Sequence, residues 1–241
     1  MKKFKKISGE KIVAKPVTNP EPKPVLVDLE EGKGRGARLQ SDERDESFPM
    51  RSSYDGSGYK SYTKVHGIGG IMDQGKSPMC VAYAWSLFMA SVPSPFVKDM
   101  DIESFYADIL DVDEFPGDDP GLGTTVRGGA KALKKKGLIK SYIWGTDAGE
   151  VWQYLAMRGP VVVECGWSSG MNNLKDGFLQ VESSKSGHAF LVYGILEDED
   201  AFLCANSWGE KWGDKGRFKI SRKDMDRLLS NNGRACSAIK A

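Results

Sequence analysis

Five side chains of this 241-residue chain could together carry out acyl transfer: Cys80, His188, Asn206, Gln74 and Trp208. A thiol attacks a carbonyl carbon as the thiolate, so a nucleophilic cysteine needs its pKa lowered. The run from Val81 to Ala90 is apolar nearly all round, as in a helix buried on every side. Ser77-Pro78 ahead of it reads as the helix start, with Ser77 as cap and Pro78 at the first helical position. Cys80 then falls in the first turn, where the helix dipole and unpaired N–H groups favour negative charge. A nearby imidazole would serve as base toward the thiol and acid toward the leaving group. His188 fits that role; the other histidine, His66, lies in a Gly-flanked segment.

The imidazole must be held in one tautomer and one orientation. The side-chain carbonyl of Asn206 can accept its second N–H. His188 opens one predicted strand and Asn206 ends the next, so a hairpin would bring them together. Trp208 could cover that hydrogen bond and exclude water. Attack on an amide creates an oxyanion, to which the Gln74 side chain and the Cys80 main-chain N–H can donate. Taken singly, each residue reads otherwise: a cysteine at a helix start is more often core, and an asparagine after a strand is a turn residue. Asp73 reads as a turn residue, and Cys204 as a buried hydrophobe on the strand face shared with Asn206. The joint occurrence of the five in this chain order is what points to chemistry.

Asp73-Gln74-Gly75…Cys80-Val81-Ala82-Tyr83, Gly187-His188-Ala189 and Asn206-Ser207-Trp208-Gly209…Trp212-Gly213…Gly216 resemble the papain-like cysteine proteases over roughly residues 60 to 222. The resemblance implies a helical lobe and a β lobe with the site in the cleft between them. It also implies Cys80 as nucleophile, His188 as base and acid, Asn206 as orienter and Gln74 as oxyanion donor. No cofactor or metal is called for. The sequence departs from the family pattern beside the nucleophile: Ser77-Pro78-Met79 stands where Cys-Gly-Ser is usual, and Val81 where an aromatic is usual. Gly121-Leu122-Gly123-Thr124-Thr125…Gly128-Gly129 resembles the segment whose backbone lines the substrate groove in bacterial and viral relatives.

The elements that must position these residues are legible in outline. Ile102 to Leu110 reads as a second helix. A third, capped by Thr124 or Thr125, ends in Lys134-Lys135-Lys136-Gly137, with cations in the last turn and a closing glycine. Trp152 to Met157 reads as a short helix closed by Arg158-Gly159-Pro160. Strands follow at 161–165, 188–195, 201–205 and 216–220. Helices first and strands second predict an α+β fold with two lobes.

Residues 1–56 are unlike the rest. Lys15-Pro16, Asn19-Pro20, Glu21-Pro22 and Lys23-Pro24 favour extended chain, and Gly32-Lys33-Gly34-Arg35-Gly36 adds flexibility. The segment reads as a tail, disordered or ordered by a protein partner, with a regulatory pro-segment as the weaker option; residues 57–241 read as the protease domain. The basic start Met1-Lys2-Lys3-Phe4-Lys5-Lys6 lacks a following apolar stretch, so no secretory signal is expected. Four cysteines without a Cys-x-x-Cys pair fit a reducing compartment, cytoplasmic or virion-associated. A net charge of +1 gives no electrostatic case for nucleic acid, and no apolar run is long enough for a membrane span.

The reading is therefore a cysteine endopeptidase acting on polypeptide substrates. The alternative is a catalytically inactive papain-like structural or binding protein, a component of a larger viral assembly. A cell-wall amidase of the Cys–His type is a third option, against which the Asn-Ser-Trp segment argues.

Overall fold

Alternation along two strands organises the molecule. In β3 (Val161–Gly166) and β4 (Gly187–Leu196) successive side chains point to opposite faces of one sheet. Val161, Val163, Cys165, Phe190 and Val192 join one apolar cluster, while Val162, Ala189, Leu191 and Tyr193 join another. Both strands are buried nearly end to end because each face is covered. The computed structural model describes residues 33–40, 42–54, 62–92, 100–115, 117–184 and 186–240. The expectations for the basic start and the proline-rich stretch lie outside these residues.

Helices α1 (Cys80–Met89), α2 (Ile102–Leu110) and α3 (Val126–Lys135) cover one face, through Trp85, Phe88, Phe105 and Leu133. Asp101 caps α2 and Thr125 caps α3, each accepting from a main-chain N–H three residues on. The other face packs against α4 (Ala148–Met157) and α5 (Arg222–Ser230) through Trp152, Leu155, Met225 and Leu228. The sheet is antiparallel throughout. Its order is β2 (Ile139–Gly145), β7 (Arg234–Lys240), β3, β4, β5 (Ala201–Ala205), β6 (Arg217–Ser221), with β1 (Lys64–Val65) also paired to β4. The fold is α+β, as the order of elements predicted. Among the described residues no helix is long and apolar enough to cross a membrane.

Two local expectations change. Helix α1 begins at Cys80, with Met79 as its N-cap and no side-chain cap. The Ser77 hydroxyl donates instead to the Gln74 carbonyl, closing the turn that carries the glutamine. The second change concerns residues expected to lie in a tail. Residues 33–40 and 42–54 pack on the domain, and Arg35 and Met50 are fully buried. Met50 enters the β-side core, and Trp144 N–H donates to the Phe48 carbonyl. Composition hid this because the segment needs few apolar groups: one methionine anchors it, and two glycines let its main chain approach the domain closely. A Cβ on Gly34 would lie 1.9 Å from the Ser77 carbonyl oxygen, and one on Gly36 would lie 2.1 Å from that of Pro78. The glycines read as flexibility are sites of contact.

Glu164 ties the helical layer to the sheet. Its carboxyl, only 1% exposed, accepts from Val126 N–H at the start of α3 (3.0 Å). Burial pushes its pKa up from 4.5 to about 7 and Asp45 adds to the rise, while the Val126 hydrogen bond, Arg234 and Arg127 oppose it. Between those two values the folded state holds a proton that the unfolded state has lost. The contribution is complete below about pH 4.5 and disappears as pH rises through 7, a loss of about 3 kcal/mol. Glu164→Gln keeps the acceptor and cannot ionise. Urea titrations at pH 5 and pH 8 should show wild type losing stability relative to Glu164→Gln by that order; parallel curves would show that Glu164 does not titrate across this range.

Candidate active site

The hairpin of β4 and β5 delivers His188 and Asn206 to one point. His188 Nε2–H donates to Asn206 Oδ1 at 2.8 Å, and the same oxygen accepts from Ser207 N–H. Asn206 N–H in turn donates to the Gly216 carbonyl, so the loop after β5 is tied to the start of β6. Trp208 stacks on the imidazole with ring centroids 4.6 Å apart, and the Trp167 edge meets it at 5.0 Å. Trp212 and Phe218 extend this aromatic wall. His188 and Asn206 are completely buried. The other histidine, His66, bonds the Leu155 carbonyl at 2.7 Å and belongs to the structural core.

The helical side supplies Cys80 and Gln74. As the first residue of α1, Cys80 has a main-chain N–H outside the helix's own hydrogen-bond ladder. Gln74 sits in the preceding turn, and its amide is oriented from both ends. Ser207 Oγ donates to Gln74 Oε1 at 2.5 Å, while Gln74 Nε2 donates to the carbonyls of Ser77 (2.7 Å) and Gly34 (3.1 Å). Asp73 accepts from Gly75 N–H and pairs with Trp208 by main chain, so it is a turn residue. Cys204 is buried in the β-side core.

Gln74, Trp208, Cys80 and His188 each interact with the chain's own residues 34–36, and Asn206 joins them through His188. Gly34 O accepts from Gln74 Nε2 and from Trp208 Nε1 (3.2 Å). Ala37 N–H donates to the carbonyl of Gly187, the residue before the histidine. Thr124 N–H donates to Gly36 O, and Arg38 N–H to Thr124 O, each at 2.8 Å. The main chain at Thr124 therefore carries this strap. Arg35 is buried with its guanidinium on the Trp167 carbonyl (3.1 Å), and Arg38 pairs with Asp118 (2.7 Å).

The strap sets the electrostatics. Burial pushes the Cys80 thiol up to about 11, against hydrogen bonds from the main chain of Ala189, Gly36 and Val81. The expected lowering by the helix start is outweighed, because a fully enclosed sulfur loses the water that would stabilise its anion. Burial lowers His188 to about 3, opposed by the Asn206 hydrogen bond and reinforced by the charge of Arg35. Among the described residues His188 Nδ1, the nitrogen free to take a proton from the thiol, has no hydrogen-bond partner. The orienting groups are in place while the reactive pair is neutral and open.

Sequence reasoning missed Ser207, Trp167 and the strap. Ser207 lies within the Asn-Ser-Trp motif, and its position beside Asn206 was the available signal. Trp167 faces His188 from just past the end of β3, across a register that nothing local reveals.

At pH 7 a thiol with a pKa of about 11 is ionised to about 10⁻⁴, so Cys80 of the intact chain should react with iodoacetamide far more slowly than an ordinary thiol. Gly34→Ala with Gly36→Ala places a methyl group against the Ser77 and Pro78 carbonyls and expels the strap. Return of Cys80 toward an ordinary pKa should raise its alkylation rate roughly 300-fold, read by mass spectrometry of the Cys80 peptide. An unchanged rate would mean that the strap does not control the thiol.

Residues 127–237 match the papain family cysteine protease model, a span that holds His188 and Asn206 but not Gln74 or Cys80. A viral cathepsin of Cydia pomonella granulosis virus is 33% identical over 91 residues, 36% of this chain and 27% of that protein. A silicatein of Petrosia ficiformis is 37% identical over 82 residues, 32% of this chain and 24% of that protein. These alignments span about a quarter of the length of either relative. Xylellain, a cysteine protease from Xylella fastidiosa, superimposes with a TM-score of 0.64 at 17% identity, over 89% of this chain and 99% of its own. Procathepsin L2 from Tenebrio molitor larval midgut gives 0.62 at 17% identity, over 86% and 78%. The chain has the papain-like fold, and its sheet-forming half, residues 127–237, resembles the papain family cysteine proteases in sequence.

Proposed function

We propose that the chain is a cysteine endopeptidase held latent by its residues 33–46. The observation that carries this is the His188–Asn206 hydrogen bond under the Trp208 ring, facing the helix start that bears Cys80. With the strap gone, water and substrate enter, and the thiol and imidazole can come into contact. The Cys80 thiolate attacks the scissile carbonyl carbon while His188 holds the proton. Gln74 Nε2 and Cys80 N–H receive the oxyanion; Gly34 O now sits on the same amide of Gln74. His188 then gives its proton to the departing amine as the C–N bond breaks. Water, deprotonated by His188, releases the acid from the acyl-enzyme. Trp208 shields the His188–Asn206 bond and borders the substrate.

The buried, neutral thiol favours a second reading, a papain-like binding protein without catalysis. The two are separated by the full-length Gly34→Ala/Gly36→Ala chain acting on a denatured protein substrate. Hydrolysis should appear with strap release. Cys80→Ala or His188→Ala in that background should reduce kcat/KM by at least about 10³-fold, and Gln74→Ala should cost about 10²-fold in kcat. An alkylatable Cys80 without hydrolysis of any protein or peptide would favour the binding protein.

A further inference from the structure

The strap is held at a second place, beyond the cleft, by charge. Asp45 lies between two arginines: it pairs with Arg127 of α3 and with Arg234 at the start of β7. Asp42 pairs with Arg127 as well, at 2.9 Å. The Arg127 and Asp45 side chains are 7% and 9% exposed, so these ion pairs are scarcely weakened by solvent. The Trp144 ring lies beside both guanidiniums, 5.4 Å from Arg127 and 5.6 Å from Arg234. The indole is 3% exposed, and among the described residues its Nε1–H has no hydrogen-bond partner.

Both arginines sit on the rigid body of the domain, whereas both aspartates sit on the strap. Removing the strap leaves Arg127, Arg234 and the neighbouring Lys131 facing two carboxyls, Glu114 and Glu164. Glu114 is already shared with Lys131 (2.5 Å) and the Thr125 hydroxyl (2.8 Å). Glu164 is engaged by the start of α3. A surplus of guanidinium charge in a nearly closed site is costly unless an anion replaces the lost aspartates. Each guanidinium directs one nitrogen at the same oxygen, Asp45 Oδ2, so two planar cationic donors converge on one carboxylate. There is room: a cavity of about 1110 Å³ adjoins the site, lined by Trp144 and Arg234. Four of the six carboxyls on its wall, Asp42, Glu43, Asp45 and Glu46, belong to the strap and leave with it; Glu114 and Glu150 stay, Glu150 already accepting from the Arg51 and Thr146 main-chain N–H groups.

We propose that Arg127 and Arg234, flanked by Trp144, form a carboxylate receptor that takes an acidic side chain of a polypeptide substrate once Asp45 has withdrawn. The ligand class is an acidic segment of polypeptide, for which residues 42–46 of the strap serve as the internal copy. This deepens the endopeptidase reading and rests on it for the identity of the ligand as substrate; binding itself requires no catalysis.

The test uses the full-length chain with Cys80→Ala and the receptor emptied by Asp42→Asn and Asp45→Asn. The probe is the peptide of residues 40–48, titrated against its copy carrying asparagine at 42 and 45. Binding is followed by fluorescence anisotropy of the labelled peptide, with Trp emission of the protein as a second signal. The acidic peptide should bind at least about ten-fold more tightly than the amide copy, and the difference should shrink with salt. Arg127→Gln with Arg234→Gln should abolish the difference. If that variant fails to fold, Arg127→Lys with Arg234→Lys keeps the charge but not the forks and should reduce the preference. Equal binding of the two peptides, or binding of neither, overturns the receptor. Because Cys80 is absent, these outcomes are independent of whether the chain hydrolyses peptide bonds.

Discussion

The contact on which the state of the active site depends is the packing of the Gly34 and Gly36 main chain against the carbonyls of Ser77 and Pro78. No side chain fits there, since a Cβ at either glycine would lie within about 2 Å of a carbonyl oxygen. The same closeness recurs from the domain side, where a Cβ on Gly187 would strike the Ala37 carbonyl. Backbone thus meets backbone on both walls of the cleft, and the strap's polar groups find partners at Gln74, Trp208, Thr124 and Gly187. Buried main-chain groups must be paired, and this pairing is what makes a polar, nearly apolar-free segment able to stay in place. Distant anchors, Met50 in the core and Asp45 between two arginines, reduce the entropy cost of holding it.

The two halves of the site respond differently to being covered. The His188 ring is oriented by a hydrogen bond to Asn206 and by stacking on Trp208, contacts that run within one hairpin and its following loop, while Trp208 Nε1 also reaches Gly34 of the strap. Cys80 depends on its surroundings instead. Among the described residues its sulfur is hydrogen-bonded by main-chain groups, and burial outweighs them. Arg35 places a positive charge near His188 and so opposes imidazolium, the very species that would stabilise a thiolate.

The sequence made the β half of the site legible because its residues are close along the chain. His188 and Asn206 flank one hairpin, and a strand pattern with an acidic turn suffices to pair them. The α+β class followed from element order, and α2 and α3 from capping and periodicity. Strands β2 and β7 were not read: β7 is Arg-Ala-Cys-Ser-Ala-Ile-Lys, with weak alternation, and its partners Ile139–Gly145 and Val162–Glu164 are remote in sequence. The strap was misread for a related reason. Composition measures how much apolar area a segment can bury, whereas residues 33–38 are held by main-chain hydrogen bonds and by glycines that permit them. The helix start at Cys80 was placed two residues early because Ser77 was assigned to the helix cap, when its hydroxyl serves the Gln74 turn.

Access and reactivity are one event in this arrangement. A thiolate–imidazolium pair inside a sealed cleft would remove two charges from water, at several kcal/mol each, and neither Arg35 nor the neutral main chain could return that energy. The neutral thiol and neutral imidazole are therefore the stable forms while the strap is seated, with Cys80 near 11 and His188 near 3. In the proposed activation, withdrawal of the strap would admit water to both groups, remove Arg35 and free the Gln74 amide in a single displacement. Each of these changes shifts the pair toward the charged form or prepares the oxyanion site. Under the proposed latency no separate chemical step switches the thiol on: the main-chain contacts that enclose Cys80 also keep it protonated.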